Sequence, residues 1–145
     1  MIRFVRGNLL DSEAEALVNA VNCVGVMGKG IALEFKKRYP EVFKQYALGC
    51  RNGAWHPGDV WAIRSGEVKW IVHAFTKGHW REKSQLTDIV DCARYIALFV
   101  KTSKVKSIAI PALGCGNGGL PWPAVKQILE EALGDVRADV EIYEP

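Results

Sequence analysis

The chain has 145 residues, of which 49% are hydrophobic and 24% charged, with a formal net charge of +3. This size and balance predict a single globular domain over residues 1–145. They exclude a membrane-spanning protein, because no apolar run reaches the roughly 18 residues of a span. The N-terminus lacks the long apolar segment of a secretory signal, so we expect a cytoplasmic protein. The mildly basic charge allows an anionic ligand without identifying one.

In chain order, the hydrophobic pattern predicts strand 2–5, strand 16–21, helix 30–39, helix 40–48, strand 60–64, strand 68–75, helix 86–100, strand 107–112, helix 125–133 and strand 140–143. Strands 60–64 and 68–75 flank a turn of Ser65, Gly66 and Glu67, so they predict a hairpin. Alternating helices and uninterrupted apolar strands predict an α/β fold, in which a mostly parallel mixed sheet lies between two helical layers. Ligands of such sheets bind beyond the carboxyl ends of the strands.

Two glycine-rich loops each follow a predicted strand and precede a helix: GVMGKG at 25–30 and GCGNGG at 114–119. Such loops let backbone N–H groups approach phosphate oxygens, and the dipole of the following helix favours an anion there. Taken alone, each loop is equally well explained by tight turns. Together they favour a diphosphate ligand. Neither matches the Walker or the dinucleotide-binding pattern, and Lys29 is either a phosphate contact or a solvated loop lysine.

Two asparagines interrupt the apolar second strand. A buried amide without a partner costs roughly 1–3 kcal/mol, so Asn19 and Asn22 need polar contacts. Residues three apart on a strand point to opposite faces. We therefore expect Asn22, beside the first glycine loop, to contact the ligand and Asn19 to tie loops together.

The four cysteines are scattered, without a CxxC pair or a histidine at metal-ligand spacing. We expect reduced thiols, no metal site and no cofactor. Cys115 lies in the second glycine loop, where it is either a reactive thiol or a small packing residue, and we assign it no catalytic role.

LVNAVN at 17–22, the loop at 25–30 and PALGCG at 111–116 resemble the macrodomain pattern, and this resemblance spans essentially the whole chain. Within that superfamily, VGVMGKGIALEFKKRYP at 24–40, TKGHWR at 76–81 and GCGNGGLPW at 114–122 are similar to the DarG-type DNA ADP-ribosyl glycohydrolases. A more distant resemblance, through MGKGIA at 27–32, is to the terminal ADP-ribose protein glycohydrolases, whose catalytic centre uses a lysine.

The resemblance implies a three-layer α/β/α macrodomain that binds ADP-ribose. It implies Lys77 and Asn22 as catalytic residues. The implied ADP-ribose contacts are Asn8, Leu9, Asn19, Asn22, Gly25, Val26, Met27, Gly28, Gly30, Ile31, Thr76, Leu113, Gly114, Cys115, Gly116, Asn117, Gly118, Gly119 and Leu120.

The chain departs from related patterns at two positions. Most macrodomains have an aspartate for the adenine amino group where this chain has Asn8, which still forms hydrogen bonds but less selectively. The terminal glycohydrolases have an aspartate at the position of Gly118, so a lysine–aspartate pair is not available here. The DarG pattern lacks that aspartate too, which favours the DNA-directed family.

Lys77 follows an apolar strand and precedes His79, Trp80 and Arg81. A partly dry, cationic position lowers the pKa of a lysine, and such an amine acts on the anomeric carbon of the distal ribose as a nucleophile or through electrostatic positioning. An exposed strand-end lysine is the alternative. Trp80 and Arg81 suit an extruded or single-stranded base, and an ordinary aromatic anchor explains Trp80 equally well. His79 either protonates the leaving base or orients a phosphate, or it is a surface or packing residue. We interpret Lys36, Lys37, Arg38 and Lys44 as a solvated helix face.

The leading hypothesis is therefore a glycohydrolase that removes ADP-ribose from a DNA base, with thymidine expected. It would be the antitoxin that reverses the reaction of a cognate ADP-ribosyltransferase toxin, with single-stranded DNA as a partner. Two alternatives remain open. One is a non-catalytic module that binds ADP-ribose, and the other is a hydrolase of ADP-ribosylated protein side chains or acetylated ADP-ribose.

Overall fold

The computed structural model describes residues 1–66 and 69–145. Its strands are β1 (Ile2–Val5), β2 (Ala16–Asn22), β3 (Val60–Ser65), β4 (Lys69–Lys77), β5 (Ser107–Ile110) and β6 (Asp139–Tyr143). Its helices are α1 (Gly30–Arg38), α2 (Pro40–Arg51), α3 (Leu86–Ser103) and α4 (Trp122–Leu133), and a 3₁₀ turn at Leu9–Asp11 follows β1. The predicted turn residue Glu67 and the predicted strand start Val68 lie outside the described residues.

The strands form one sheet in the order β1-β6-β5-β2-β4-β3. Every described pairing is parallel except that of β3 with β4, which is the predicted hairpin. The sheet is therefore mixed and mostly parallel, as predicted. Parallel pairing brings the carboxyl ends of β2, β4 and β5 to one edge, and both glycine-rich loops start there.

Alternate residues of the central strands face different helices. Val18, Val72 and Ile108 pack in a core with α3 and α4, whereas Leu17 and Ile71 pack with Phe35 of α1 and Val42 of α2. Because neighbouring residues of a strand point to opposite faces, the helices lie in two layers with the sheet between them. The predicted three-layer α/β/α architecture is confirmed.

The predicted element ends shift for local reasons. β5 stops at Ile110 rather than at residue 112, because Pro111 has no N–H to continue the ladder. α3 continues beyond residue 100 to Ser103 and ends where Lys104 adopts a left-handed backbone with φ of 60°. α4 begins earlier than predicted, at Trp122, with Pro123 in its first turn, where a missing N–H costs nothing.

No helix within the described ranges is long and apolar enough to cross a membrane. In the same ranges, no group of three or more His, Cys, Asp or Glu side chains is arranged to hold a metal ion. Cys23, Cys50, Cys92 and Cys115 are free thiols.

Candidate active site

A cavity of about 480 Å³ opens at the carboxyl ends of β2, β4 and β5. Its walls come from both glycine-rich loops, the start of α1 and the segment after β4. The lining residues are Ala20, Val21, Asn22, Val26, Lys29, Gly30, Ile31, Ala32, Thr76, Lys77, Trp80, Arg81, Pro111, Ala112, Gly114, Gly116, Asn117 and Gly118. Three of these are cations and none is an acid, so the cavity suits an anionic ligand.

The first wall is the loop 25–30 with the start of α1. Gly30 begins the helix with φ of +57°, a conformation that favours glycine, and the capping residue Lys29 makes no side-chain capping bond. The first N–H groups of α1, at Gly30, Ile31 and Ala32, therefore belong to residues that line the cavity. N–H groups without helical partners, together with the helix dipole, make this an anion-binding end.

Asn22 holds the first loop in place. Its side-chain Nδ2 donates to the Val26 carbonyl oxygen at 2.8 Å, and its Oδ1 accepts from the N–H groups of Val24 at 3.1 Å and Val26 at 3.3 Å. The side chain is 5% exposed and still lines the cavity. The residue predicted to contact the ligand therefore also sets the shape of the loop that surrounds it.

Our expectation that Asn19 and Asn22 point to opposite faces of the sheet is wrong. Asn19 is completely buried, and its Nδ2 lies 3.8 Å from the sulfur of Met27, in the same loop that Asn22 holds. The pairing of β2 with β4 shifts register between Val21 and Asn22, but the extra residue, Thr76, lies in β4. The Asn22 side chain instead turns toward α2, where the Tyr46 hydroxyl lies 2.9 Å from its Oδ1 and Tyr46 packs in one cluster with Met27. The predicted loop-tying role of Asn19 agrees with its contact to Met27.

The second loop packs against Ser84, which precedes α3. The N–H of Ser84 donates to the Gly118 carbonyl oxygen at 3.0 Å. A Cβ atom at Gly118 would lie 2.4 Å from Ser84 Oγ and 2.5 Å from the Gly114 carbonyl oxygen. No side chain fits there without moving backbone, so this loop cannot accept the aspartate that the terminal glycohydrolases have at this position.

The two loops meet across the cavity. A Cβ atom at Gly30 would lie 3.8 Å from Nδ2 of Asn117. On this side, the cavity is lined by the backbone at Gly30 and by the side-chain amide of Asn117. A diphosphate between the loops would therefore lie beside Asn117 and the first N–H groups of α1.

Lys77 ends β4 and is half-buried in the cavity wall. Its Nζ donates to the Trp80 carbonyl oxygen at 3.1 Å. Burial lowers the pKa of Lys77 below its ordinary value, and the positive charge of Lys29 lowers it further. The direction agrees with the prediction, and Lys29 contributes the cationic surroundings. A lowered pKa makes more neutral amine available, as a nucleophile requires.

Trp80 and Arg81 form the outer part of the cavity. The guanidinium of Arg81 lies 4.6 Å from the centre of the Trp80 ring, and the His79 ring lies 5.0 Å from it on a tilted plane. Trp80 is 45% exposed although it is a large aromatic side chain. An exposed indole with a stacked cation is the arrangement that unpaired bases bind.

Several residues implied by the resemblance lie outside the described cavity lining: Asn8, Leu9, Asn19, Gly25, Met27, Gly28, His79, Leu113, Cys115, Gly119 and Leu120. Asn8 instead caps the 3₁₀ turn by accepting from the N–H of Leu10 at 3.1 Å, and Leu9 is buried in the core. Burial raises the pKa of the Cys115 thiol, which keeps it protonated. This agrees with the absence of a catalytic role for Cys115.

Sequence reasoning missed five residues of the lining: Ala20, Val21, Ala32, Pro111 and Ala112. They are small or apolar, and although they lie within the motifs at 17–22, 27–32 and 111–116, their side chains carry no polar group that points to a ligand. The sequence signal that could have identified Pro111 and Ala112 was their position directly before the second loop.

Basic residues of α1 and α2 form exposed ion pairs, such as Lys44 with Glu41 at 3.1 Å and Lys37 with Glu34 at 3.8 Å. This confirms the solvated-face interpretation for both lysines.

A sequence model of the Macro domain matches residues 18–129. The chain is 44% identical to a Thermus aquaticus protein called DNA ADP-ribosyl glycohydrolase, over 100% of this chain and 41% of that protein. A Thermosipho africanus protein called a DNA ADP-ribosyl transferase-DNA ADP-ribosyl glycohydrolase fusion is 32% identical over 99% of this chain and 42% of its own length. The chain thus spans about two fifths of these relatives.

The chain is also similar to solved macrodomain structures. The macrodomain of Mycobacterium tuberculosis DarG superposes with a TM-score of 0.97 at 43% identity, covering 100% of this chain and 98% of that one. The structure of Thermosipho africanus DarTG in complex with ADP-ribose superposes with a TM-score of 0.93 at 32% identity, covering 99% of this chain and 41% of that one.

Proposed function

This chain belongs to the macrodomain family, and on that premise we propose that it is a glycohydrolase that removes ADP-ribose from a modified DNA base. The observation that carries the proposal is the position of Lys77, whose partly desolvated amine lines a cavity between two glycine-rich loops. The loops supply N–H donors for a diphosphate, and the lysine supplies a reactive group at one end. A binding module has no need of the second feature.

The residues that line the cavity indicate how ADP-ribose would lie in it. ADP-ribose would place its diphosphate between the two loops, near the start of α1, and its distal ribose near Asn22 and Lys77. The glycosidic bond between the anomeric carbon of that ribose and a base nitrogen breaks. Water supplies a hydroxyl to the carbon and a proton to the base nitrogen, so free ADP-ribose is released and the unmodified base remains in the DNA.

The base would lie toward Trp80. Its exposed indole and the neighbouring Arg81 guanidinium offer a stacking plane and a phosphate-seeking charge, which suits single-stranded DNA. We propose thymidine as the modified nucleoside and a cytoplasmic site of action. We also propose an antitoxin role opposite a cognate DNA ADP-ribosyltransferase, which is supported by the name of one relative as a fusion of DNA ADP-ribosyl transferase with DNA ADP-ribosyl glycohydrolase.

The alternative hydrolase of ADP-ribosylated protein side chains is less well supported. The terminal glycohydrolases that act on proteins are expected to pair their lysine with an aspartate, and Gly118 has no room for one. Without that aspartate, Lys77 is better suited to a reaction in which the nitrogen of the leaving base takes up the proton. It is less well suited to a mechanism that uses a lysine–aspartate pair.

The test is release of ADP-ribose from three substrates: single-stranded DNA carrying ADP-ribosylated thymidine, a peptide carrying an ADP-ribosylated carboxylate, and acetylated ADP-ribose. We expect release from the DNA alone. Tight binding of ADP-ribose with no release from any substrate would replace the glycohydrolase with a binding module. Release from the peptide alone would reassign the substrate to protein.

A further inference from the structure

Tyr46 lies beneath the first glycine-rich loop, on the face of α2 that packs against the sheet. Its side chain is completely buried. Its ring is parallel to the His73 ring within 6°, with centroids 5.7 Å apart, and it stacks on Phe75 at 6.1 Å. Because packed rings fix the plane of the phenol, its oxygen has a set position before any ligand enters the cavity.

The Tyr46 hydroxyl points at Asn22. It lies 2.7 Å from the Asn22 carbonyl oxygen and 2.9 Å from its side-chain Oδ1, so one phenolic proton is shared between two acceptors. Burial raises the pKa of Tyr46, which keeps the phenol protonated and therefore a donor. The register shift between Val21 and Asn22 lies at this contact.

Asn22 carries this constraint into the loop. The Oδ1 atom that accepts from Tyr46 also accepts from the N–H groups of Val24 and Val26, and Nδ2 donates to the Val26 carbonyl oxygen. With Oδ1 fixed by the phenol, the amide cannot rotate without giving up all of these bonds. Val26 lines the cavity, and α1 begins four residues later.

We propose that Tyr46 is a positioning residue for ADP-ribose: its hydroxyl fixes the Asn22 amide, and through that amide it fixes the backbone of 24–26 around the ligand. This inference rests on the proposed function, because it takes ADP-ribose as the ligand of the first loop. Tyr46 itself lies outside the described cavity lining, so it would act on the ligand only through Asn22.

The test is Tyr46→Phe, which removes the hydroxyl and keeps the ring stack. We expect the Kd for ADP-ribose and the KM for ADP-ribosylated DNA to rise about five- to tenfold, the effect of one lost hydrogen bond on binding, while kcat stays within about twofold. Hydrogen exchange at the amides of Val24 and Val26 should accelerate more than at core amides of β5.

Two controls separate positioning from general destabilisation. Tyr39→Phe removes a phenol from the junction of α1 and α2 and should leave Kd unchanged. Ile142→Val destabilises the core at β6, far from the loop, and should lower the melting temperature without changing Kd.

The decisive comparison is with Asn22→Ala, in which the Tyr46→Phe substitution should have a clearly smaller effect on Kd, because only the bond to the Asn22 main-chain carbonyl oxygen remains to be lost. An unchanged Kd in Tyr46→Phe, or an equal loss in both backgrounds, would overturn the inference while leaving the proposed function intact. A parent protein that does not bind ADP-ribose would overturn the proposed function and this inference with it.

Discussion

The Lys77 amine donates to the Trp80 carbonyl oxygen at 3.1 Å, so the end of β4 and the exposed indole three residues later are held in one arrangement. The bond joins the group proposed to act on the ribose to the main chain of the residue proposed to hold the base. A base stacked on Trp80 would therefore lie close to the amine. The residues proposed for catalysis and for base recognition therefore lie in one short segment, 77–81.

Trp80→Ala tests the base-binding half of this segment. It keeps the backbone carbonyl that accepts from Lys77 and removes the stacking surface. We expect kcat/KM for an ADP-ribosylated oligonucleotide to fall about tenfold, in line with roughly 1–3 kcal/mol per stacked base. The Kd for free ADP-ribose should stay within about twofold. Trp80→Phe should recover most of the rate, and an unchanged rate in Trp80→Ala would remove Trp80 from DNA recognition.

Lys29→Gln tests the electrostatic tuning of Lys77. Burial and the charge of Lys29 both lower the pKa of Lys77, so removing that charge should raise it. If the neutral amine is the active form, the rising limb of the pH–rate profile moves to higher pH. The rate at neutral pH then falls and recovers in alkaline buffer. Lys29→Arg keeps the charge and should keep the profile. A profile that does not move in Lys29→Gln would show that the two lysines are not coupled.

Gly118→Ala tests the packing of the second loop. The added Cβ would lie 2.4 Å from Ser84 Oγ and 2.5 Å from the Gly114 carbonyl oxygen, so the loop must shift. We expect a stability loss of about 2 kcal/mol, typical of overpacking, and at least tenfold weaker ADP-ribose binding in calorimetry. A Cβ at Gly116 meets nothing within 4 Å, so Gly116→Ala should melt like the parent. Equal melting temperatures for the two variants would contradict the packing argument.

His73 should make the fold sensitive to acid. The residue is completely buried, and burial lowers its pKa to about 4 from 6.5. The unfolded chain takes up a proton below pH 6.5, while the folded one does so only near pH 4. Stability is therefore present above pH 6.5 and is lost as the pH falls toward 4.

The expected size of this loss is about 2 kcal/mol between pH 7 and pH 5 from this one group, by proton linkage. Urea unfolding at both pH values measures it. His73→Phe keeps an aromatic ring in the stack and should be the less stable protein at pH 7, because it removes the contact of His73 Nδ1 with the Trp61 carbonyl oxygen at 3.1 Å. Its pH dependence should be weaker than that of the parent. An equal pH dependence in both proteins would assign the loss to other groups.

The sequence predicted the layers and the location of the site well, because both depend on local signals. Apolar runs of strand length fix which segments are buried, and glycine-rich loops after strands fix which edge binds a ligand. Trp80 was singled out from its place after a buried strand, whereas the catalytic role predicted for Lys77 came from the family resemblance. These features need no knowledge of how distant segments pack.

The expectations that failed depend on tertiary contacts. The opposite orientation of Asn19 and Asn22 assumed regular alternation, whereas the Asn22 side chain turns toward the Tyr46 hydroxyl of α2. Tyr46 appeared in the sequence only as one aromatic residue of a helix. Its role emerges from a contact to Asn22, 24 residues earlier in the chain. The exclusion of a side chain at Gly118 likewise depends on Ser84, which lies before α3 and packs against this loop.

The central claim is that Lys77 acts in the release of ADP-ribose rather than only in its binding. The most direct measurement is single-turnover release from DNA carrying ADP-ribosylated thymidine by the parent, by Lys77→Ala and by Lys44→Ala, an exposed lysine of α2. Calorimetric Kd values for ADP-ribose are measured on the same samples. We predict that Lys77→Ala binds ADP-ribose within about threefold of the parent and releases it at least 100-fold more slowly, a loss of roughly 3 kcal/mol of transition-state stabilisation. Lys44→Ala should match the parent in both. Release by Lys77→Ala at the parent's rate would contradict the claim.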